Sequence, residues 1–195
     1  DPVWWHYVQV VVPEGATGAT GLLYIGGGSR EAERPQQPDG LLSQSALATQ
    51  TITAGIHNVP NQPLQFAGDD YGPRYEDEII AYGWRRFLEG GARDEDARWL
   101  ARLPMTTAAV RAMDAVTAFT RAEVGRPVER FVVAGGSKRG WTTWTTAATD
   151  ERVVAIAPFV IDLLNVVPSF QHHWRAYGFW APAVGDYERE GIMEW

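Results

Sequence analysis

The stretch FVVAGGSKRGW, residues 131 to 141, holds an apolar run, two glycines, a serine, two adjacent cations and a third glycine. That is the composition of a strand entering a helix through a tight turn, with Ser137 at the bend. A hydroxyl held there is a candidate acyl-transfer nucleophile, because a strained strand–Ser–helix turn projects the serine away from the sheet. The turn needs small neighbours, since a Cβ would strike the adjoining strand or helix. Gly135 stands two before the serine and Gly140 three after it, giving G-x-S-x-x-G where nucleophile elbows usually carry G-x-S-x-G. Arg139 occupies the position normally held by glycine. Ser137 equally fits a helix N-cap, a common role worth about 1 kcal/mol. A phosphate-binding loop fits less well, because G-x-x-x-x-G-K-[ST] is absent.

A second glycine-rich turn bears on that choice. LLYIGGGS, residues 22 to 29, is a short apolar run ending in three glycines. An oxyanion hole in an α/β-hydrolase uses the backbone N–H after the nucleophile and another from the loop after an earlier strand. Lys138 would supply the first. Gly27 or Gly28 would supply the second, since a residue without Cβ lets the backbone approach a substrate closely.

The remaining chemistry-bearing residues are weighed against blander roles. Triad partners should follow the serine in the order Ser, acid, His. Asp162 comes after the next apolar run, where some hydrolases place their acid, although such a residue more often caps a loop. His172 and His173 are adjacent and too near Asp162 to follow a separate later strand. They read as part of a cap or lid, with catalysis as the alternative. His6 and His57 precede the serine and read as structural. Four scattered histidines without ligand spacing, and no cysteine, argue against a metal site and rule out thiolate catalysis. Lys138 and Arg139 could steady an oxyanion or an anionic substrate group, or simply pair with carboxylates. Trp141 and Trp144 share a helix face and read as core, whereas Trp174, Phe179 and Trp180 read as a cleft wall.

The elements that must position these residues follow from patterning. Residues 4–12, 22–25, 51–58, 131–135 and 153–161 read as strands from their β-branched or continuous apolar runs. Residues 41–50 suggest a short helix. Residues 75–89 show apolar positions at Ile79/Ile80, Gly83/Trp84 and Phe87/Leu88, one helical face, with acids in the first turn. Arg74 is expected to pair with those acids. Residues 106–124 form another helix with Val110, Met113, Val116 and Phe119 inward, capped by Thr106 or Thr107. Apolar runs that are continuous and alternate with helices predict an α/β fold, a mainly parallel sheet with helices on both faces.

Composition sets the outer bounds. The chain has 195 residues, 45% hydrophobic and 21% charged, with a formal net charge of −7 and nine tryptophans. No basic stripe is present, which argues against nucleic acid as a partner. No apolar run is long enough for a membrane span, and no cofactor motif occurs. Both ends read as cuts in a longer protein, so the sheet is expected to be incomplete at both ends.

Several stretches carry a family resemblance: VPNQPLQF, RYEDEIIAYGW, LPMTTAAVRAMDAV, FVVAGGSKRGWTTWTTAATDERVVAIAPFVIDLLN and HHWRAYGFW. They closely resemble the PhoPQ-activated pathogenicity-related proteins, over nearly the whole chain. The resemblance implies an α/β-hydrolase-like domain fragment over 1–195, and 163–195, with His172 and His173, is read as the start of a cap or lid. It implies export, to the periplasm or secreted, and Ser137 as nucleophile; the reaction expected of that serine is hydrolysis of an ester or amide in a small-molecule or peptide substrate. It also implies that the triad acid and histidine follow later strands outside this chain. The elbow alone is similar to that of glucuronoyl esterases, which show G-x-S-Arg-x-G. The competing expectation is a non-enzymatic secreted signalling or surface-binding protein on the same scaffold.

Overall fold

The structure, a computed structural model, describes residues 3–161 and 165–195. In chain order its principal elements are β1 (Val8–Val11), β2 (Thr20–Ile25), α1 (Gly40–Thr49), β3 (Thr53–Ile56), α2 (Glu76–Glu89), α3 (Arg102–Phe119), β4 (Arg130–Gly136), α4 (Lys138–Thr149), β5 (Val153–Phe159), α5 (Val166–Tyr177) and α6 (Gly185–Arg189). The chain divides into two compact units, residues 1–63 with 104–161, and residues 64–103 with 162–195.

The first unit holds one five-stranded sheet in the order β1-β3-β2-β4-β5. The pairs β2–β3, β2–β4 and β4–β5 are parallel, while β1 runs antiparallel to β3. The sheet is therefore mixed: β2, β3, β4 and β5 are mutually parallel, and β1 is the antiparallel exception. Sheet register explains the layers. Leu23 lies opposite both Ala54 and Val133, so these three side chains share one face. Together with Ile25, Ile56 and Phe131 they pack on Met105, Ala109, Ala112, Met113 and Val116 of α3. The alternate residues Thr53 and Gly55 face the other way and meet α1. The Thr53 hydroxyl donates to the Leu42 carbonyl at 2.9 Å, and a Cβ on Gly55 would lie 2.8 Å from Leu42 Cδ1. Helix α4 joins α3 through the Thr106 and Thr145 hydroxyls, 2.6 Å apart. Helices thus cover both faces.

Several element boundaries differ from the sequence reading. α3 begins at Arg102, not at a Thr106 or Thr107 cap. Pro104 is tolerated because the first turn needs no amide donor there. Phe119 is 43% exposed rather than inward. On α4, Trp144 is 42% exposed, and the buried positions are Lys138, Gly140, Thr142, Thr143 and Thr146. Three of those threonine hydroxyls are satisfied by carbonyls four residues back, which lets a polar face be buried: Thr142 to Lys138, Thr143 to Arg139 and Thr146 to Thr142.

In the second unit α2 buries Ile79 to Gly83. Arg74 does not pair with the acids of that helix. Its Nε donates to Asp69 and its Nη1 to Glu190, 2.7 Å away, and all three side chains are at most 7% exposed. Glu78 instead accepts the Tyr75 N–H at 2.9 Å and closes the first turn. Among the described residues no helix is long and apolar enough to cross a membrane.

Candidate active site

β4 lies between β2 and β5, and its carboxyl end leads directly into Ser137. Ser137 has φ 53° and ψ −126°, a region that residues with a Cβ rarely occupy. Such backbones cost about 1–3 kcal/mol and persist only where surroundings over-determine them. Here the Ser137 N–H donates to the Phe159 carbonyl at 2.8 Å, and the Ser137 carbonyl accepts the Trp141 N–H at 3.1 Å. The side chain is exposed and makes no capping hydrogen bond, so the residue sits at the N-cap position without doing the work of a cap.

The two flanking glycines are sterically required. A Cβ on Gly135 would fall 2.7 Å from the Arg139 carbonyl oxygen. A Cβ on Gly140 would fall 2.7 Å from Ile161 Cγ2 and 3.0 Å from the Gly135 and Phe159 carbonyl oxygens. Gly136 has open space around it.

Because Ile25 is registered with Gly135, the chain continuing as Gly26–Gly28 leaves the sheet alongside Gly136 and the serine turn. This loop is fixed against the one after β3. The Gly26 N–H donates to Ile56 O at 2.8 Å. The Gly26 and Gly27 carbonyls accept from the Val59 and Asn58 N–H groups, at 3.1 and 2.8 Å. The Gly28 carbonyl accepts from Gln62 Nε2 at 2.8 Å. Among the described residues no acceptor meets the Gly27 or Gly28 N–H. Gly28 has φ +132°, which a side chain would not tolerate.

Lys138 is 6% exposed and begins α4. The first amides of a helix have no intrahelical acceptor. Arg139 turns across the turn region, its Nε donating to the Val59 carbonyl at 2.6 Å. Its guanidinium lies over Gly27, where a Cβ would be 2.6 Å from Nη2.

Asp162 is outside the described residues. His172 is an exposed residue of α5, in the second unit. His173 Nε2 accepts the Ala181 N–H at 3.1 Å, and its ring stacks on Trp180 at 5.7 Å. That bond holds a local aromatic cluster with Phe170, Trp174 and Tyr177. His6 and His57 serve the sheet margin. His6 Nδ1 donates to the His57 carbonyl and His57 Nε2 to Gln9 Oε1, each at 3.0 Å. Burial lowers both their pKa values below the ordinary imidazole range. Among the described residues no three His, Asp or Glu side chains gather as a metal site.

Sequence reasoning missed the part played by the loop of residues 57–63. Asn58, at φ 65° and 2% exposed, was the available signal, since asparagine is enriched in that conformation. Its Nδ2 donates to Asn61 Oδ1 at 3.0 Å, and the turn so formed presents Val59 to Arg139.

These features define an α/β protein with an exposed serine held in a strained turn after a central strand. Over residues 1–195 the sequence matches the PhoPQ-activated pathogenicity-related proteins, and the chain belongs to that family. It is also similar to autocrine proliferation repressor protein A of Dictyostelium discoideum, 42% identical over 195 residues, covering 100% of this chain. The chain spans 38% of the length of that relative.

Proposed function

We propose that this chain is the nucleophile-bearing part of an exported serine hydrolase with an α/β-hydrolase-like fold, cleaving esters or amides of a small-molecule or peptide substrate. The observation that carries this reading is the Ser137 backbone, strained at φ 53° and ψ −126° while its hydroxyl caps nothing. A capping serine would sit in the β region and bond back to the helix; the strain is intelligible if the exposed hydroxyl is the product of the turn.

In this reading Ser137 Oγ attacks the substrate carbonyl while a base takes its proton. The carbonyl oxygen gains the negative charge between the Lys138 N–H and the Gly27 or Gly28 N–H. The tetrahedral intermediate collapses, the leaving group departs with a proton from the same base, and water repeats the sequence on the acyl-enzyme. We place the acid and histidine outside residues 1–195, with Asp162, His172 and His173 as the alternatives within them, and residues 163–195 as the start of a cap or lid. The alternative, a non-enzymatic secreted regulator, is favoured by one observation: the relative's name describes a proliferation repressor.

The deciding experiment uses the full-length protein with a fluorophosphonate probe and a panel of ester and peptide substrates. Wild type is expected to label at Ser137 and Ser137→Ala to lose labelling. A folded full-length protein that neither labels nor turns over any substrate sinks the hydrolase reading in favour of the regulator.

A further inference from the structure

The reading of Gly27 and Gly28 as oxyanion donors leaves open what holds their amides in place. Amides preorganised toward a developing charge are effective because they need not move as the reaction proceeds. The loop of residues 26–28 is tied through its carbonyls to Asn58, Val59 and Gln62. Those bonds join two loops to each other, but neither loop to the helix that carries the serine. Arg139 makes that connection. It lies two residues after Ser137, on the first turn of α4, and reaches both loops at once. Its Nε–H donates to Val59 O at 2.6 Å, and its planar guanidinium lies over the Gly27 Cα, within 2.6 to 3.5 Å of where a Cβ would stand.

We propose that Arg139 is a positioning residue, which clamps the Gly27–Gly28 amides at a fixed distance from Ser137 by spanning Gly27 and Val59. The proposal rests on the hydrolase reading for its kinetic consequence. Its structural consequence, a loop held by a side chain of the serine turn, stands apart from any activity. Arginine suits the task because its rigid fork keeps a donor direction while the plane covers a glycine. A lysine of similar length has neither property.

The test uses full-length protein carrying Arg139→Lys, Arg139→Ala, Gly27→Ala and the double variant Gly27→Ala/Arg139→Ala. Two readouts are taken: fluorophosphonate labelling and ester turnover at Ser137, and hydrogen exchange of the segments 22–30 and 57–62. Arg139→Lys and Arg139→Ala should each lower kcat by about 10- to 100-fold with little change in KM, as expected when an interaction of the transition state alone is weakened. Both should speed exchange in the two segments while β4 and α3 stay protected. Gly27→Ala should displace the guanidinium and cost about as much as Arg139→Ala. The double variant should be no worse than either single one, because both remove one clamp.

Wild-type kcat and wild-type exchange in a folded Arg139→Lys would overturn the proposal, as would additive losses in the double variant. If Arg139→Ala does not fold, Arg139→Lys and Gly27→Ala decide. If wild type never labels at Ser137, the hydrolase reading fails, and the exchange measurement alone decides whether Arg139 clamps the loop.

Discussion

Replacing Ser137 by glycine should stabilise the protein while destroying its proposed nucleophile. The structure supplies the magnitude. At φ 53° and ψ −126° a residue with a Cβ carries about 1–3 kcal/mol of strain, which glycine would not. Glycine in turn loses about 0.5–1 kcal/mol through the greater freedom of its unfolded chain. The hydroxyl itself contributes little to the fold, being exposed and without a capping bond. The backbone bonds to Phe159 and Trp141 are made by groups that glycine and alanine keep. Ser137→Gly should therefore gain about 1 kcal/mol, a rise of about 2–4 °C in Tm for a chain of this size. Ser137→Ala keeps the Cβ and the strain, and should fall within about 0.5 kcal/mol of wild type.

Urea unfolding followed by tryptophan near-ultraviolet circular dichroism measures both variants against wild type under identical conditions. The informative quantity is the difference between Gly and Ala, since both lose the same hydroxyl. If glycine is no more stable than alanine, the strain at Ser137 does not exceed the roughly 0.5–1 kcal/mol that glycine loses in the unfolded chain, and the backbone argument for a nucleophile elbow collapses with it. A clear gain for glycine would mean that this position retains a serine at a cost to stability, the trade-off expected where activity and stability conflict.

The glycines of the turn should separate by contact. Gly135→Ala and Gly140→Ala each place a Cβ 2.7 Å from an obstruction and should lower stability by about 2 kcal/mol or more, whereas Gly136→Ala, with open space, should stay within about 0.5 kcal/mol by the same unfolding assay. For pH, burial depresses the imidazole pKa of His6 and His57 in the fold. Between those lowered values and the unfolded value of about 6.5, the unfolded chain binds more protons, so stability rises with pH. The contribution is complete above about pH 6.5 and is lost as pH falls through the folded values. Urea midpoints at pH 5 and 7.5 should show it, and His57→Gln should reduce the difference; an unchanged difference in that variant would refute the assignment.

The elements around Ser137 were legible because parallel strands under helices announce themselves as continuous apolar runs: β2 and β4 do so over residues 22–25 and 131–135, and β5, although a part-exposed edge strand, lies within the run read as 153–161. Their adjacency was less so. β1 pairs with β3 rather than with its sequence neighbour, and antiparallel, which no local pattern encodes. The Arg74 partners show the same limit. Five residues separate it from Asp69 and 116 from Glu190, and nearby Glu76, Asp77 and Glu78 offered an equally good local match. Trp144 misled for another reason: a helix whose buried face is built from threonines satisfied by its own carbonyls does not show an apolar stripe. At the site, glycine spacing pointed to the turn and to the loop after β2, while the contribution of residues 58–62 was hidden in backbone conformation.

The departure of this turn from G-x-S-x-G also has a steric account. A glycine two after the serine would leave the space beside the β2 loop empty; here Arg139 fills it. The requirement for a small residue is then carried to the loop after β2, while the usual glycine two before the serine is kept. Gly135 must lack a Cβ because the Arg139 carbonyl and Cβ stand 2.7 and 2.9 Å from where it would be. Gly27 must lack one because the guanidinium covers it. Gly140 meets a different constraint, the carbonyl oxygens at the ends of β4 and β5 and the side chain of Ile161. The two glycine-rich stretches, with Gly28 and Gly135 107 residues apart in sequence, are thus one packing unit built around a single arginine. A search for the usual elbow pattern reads only one half of it.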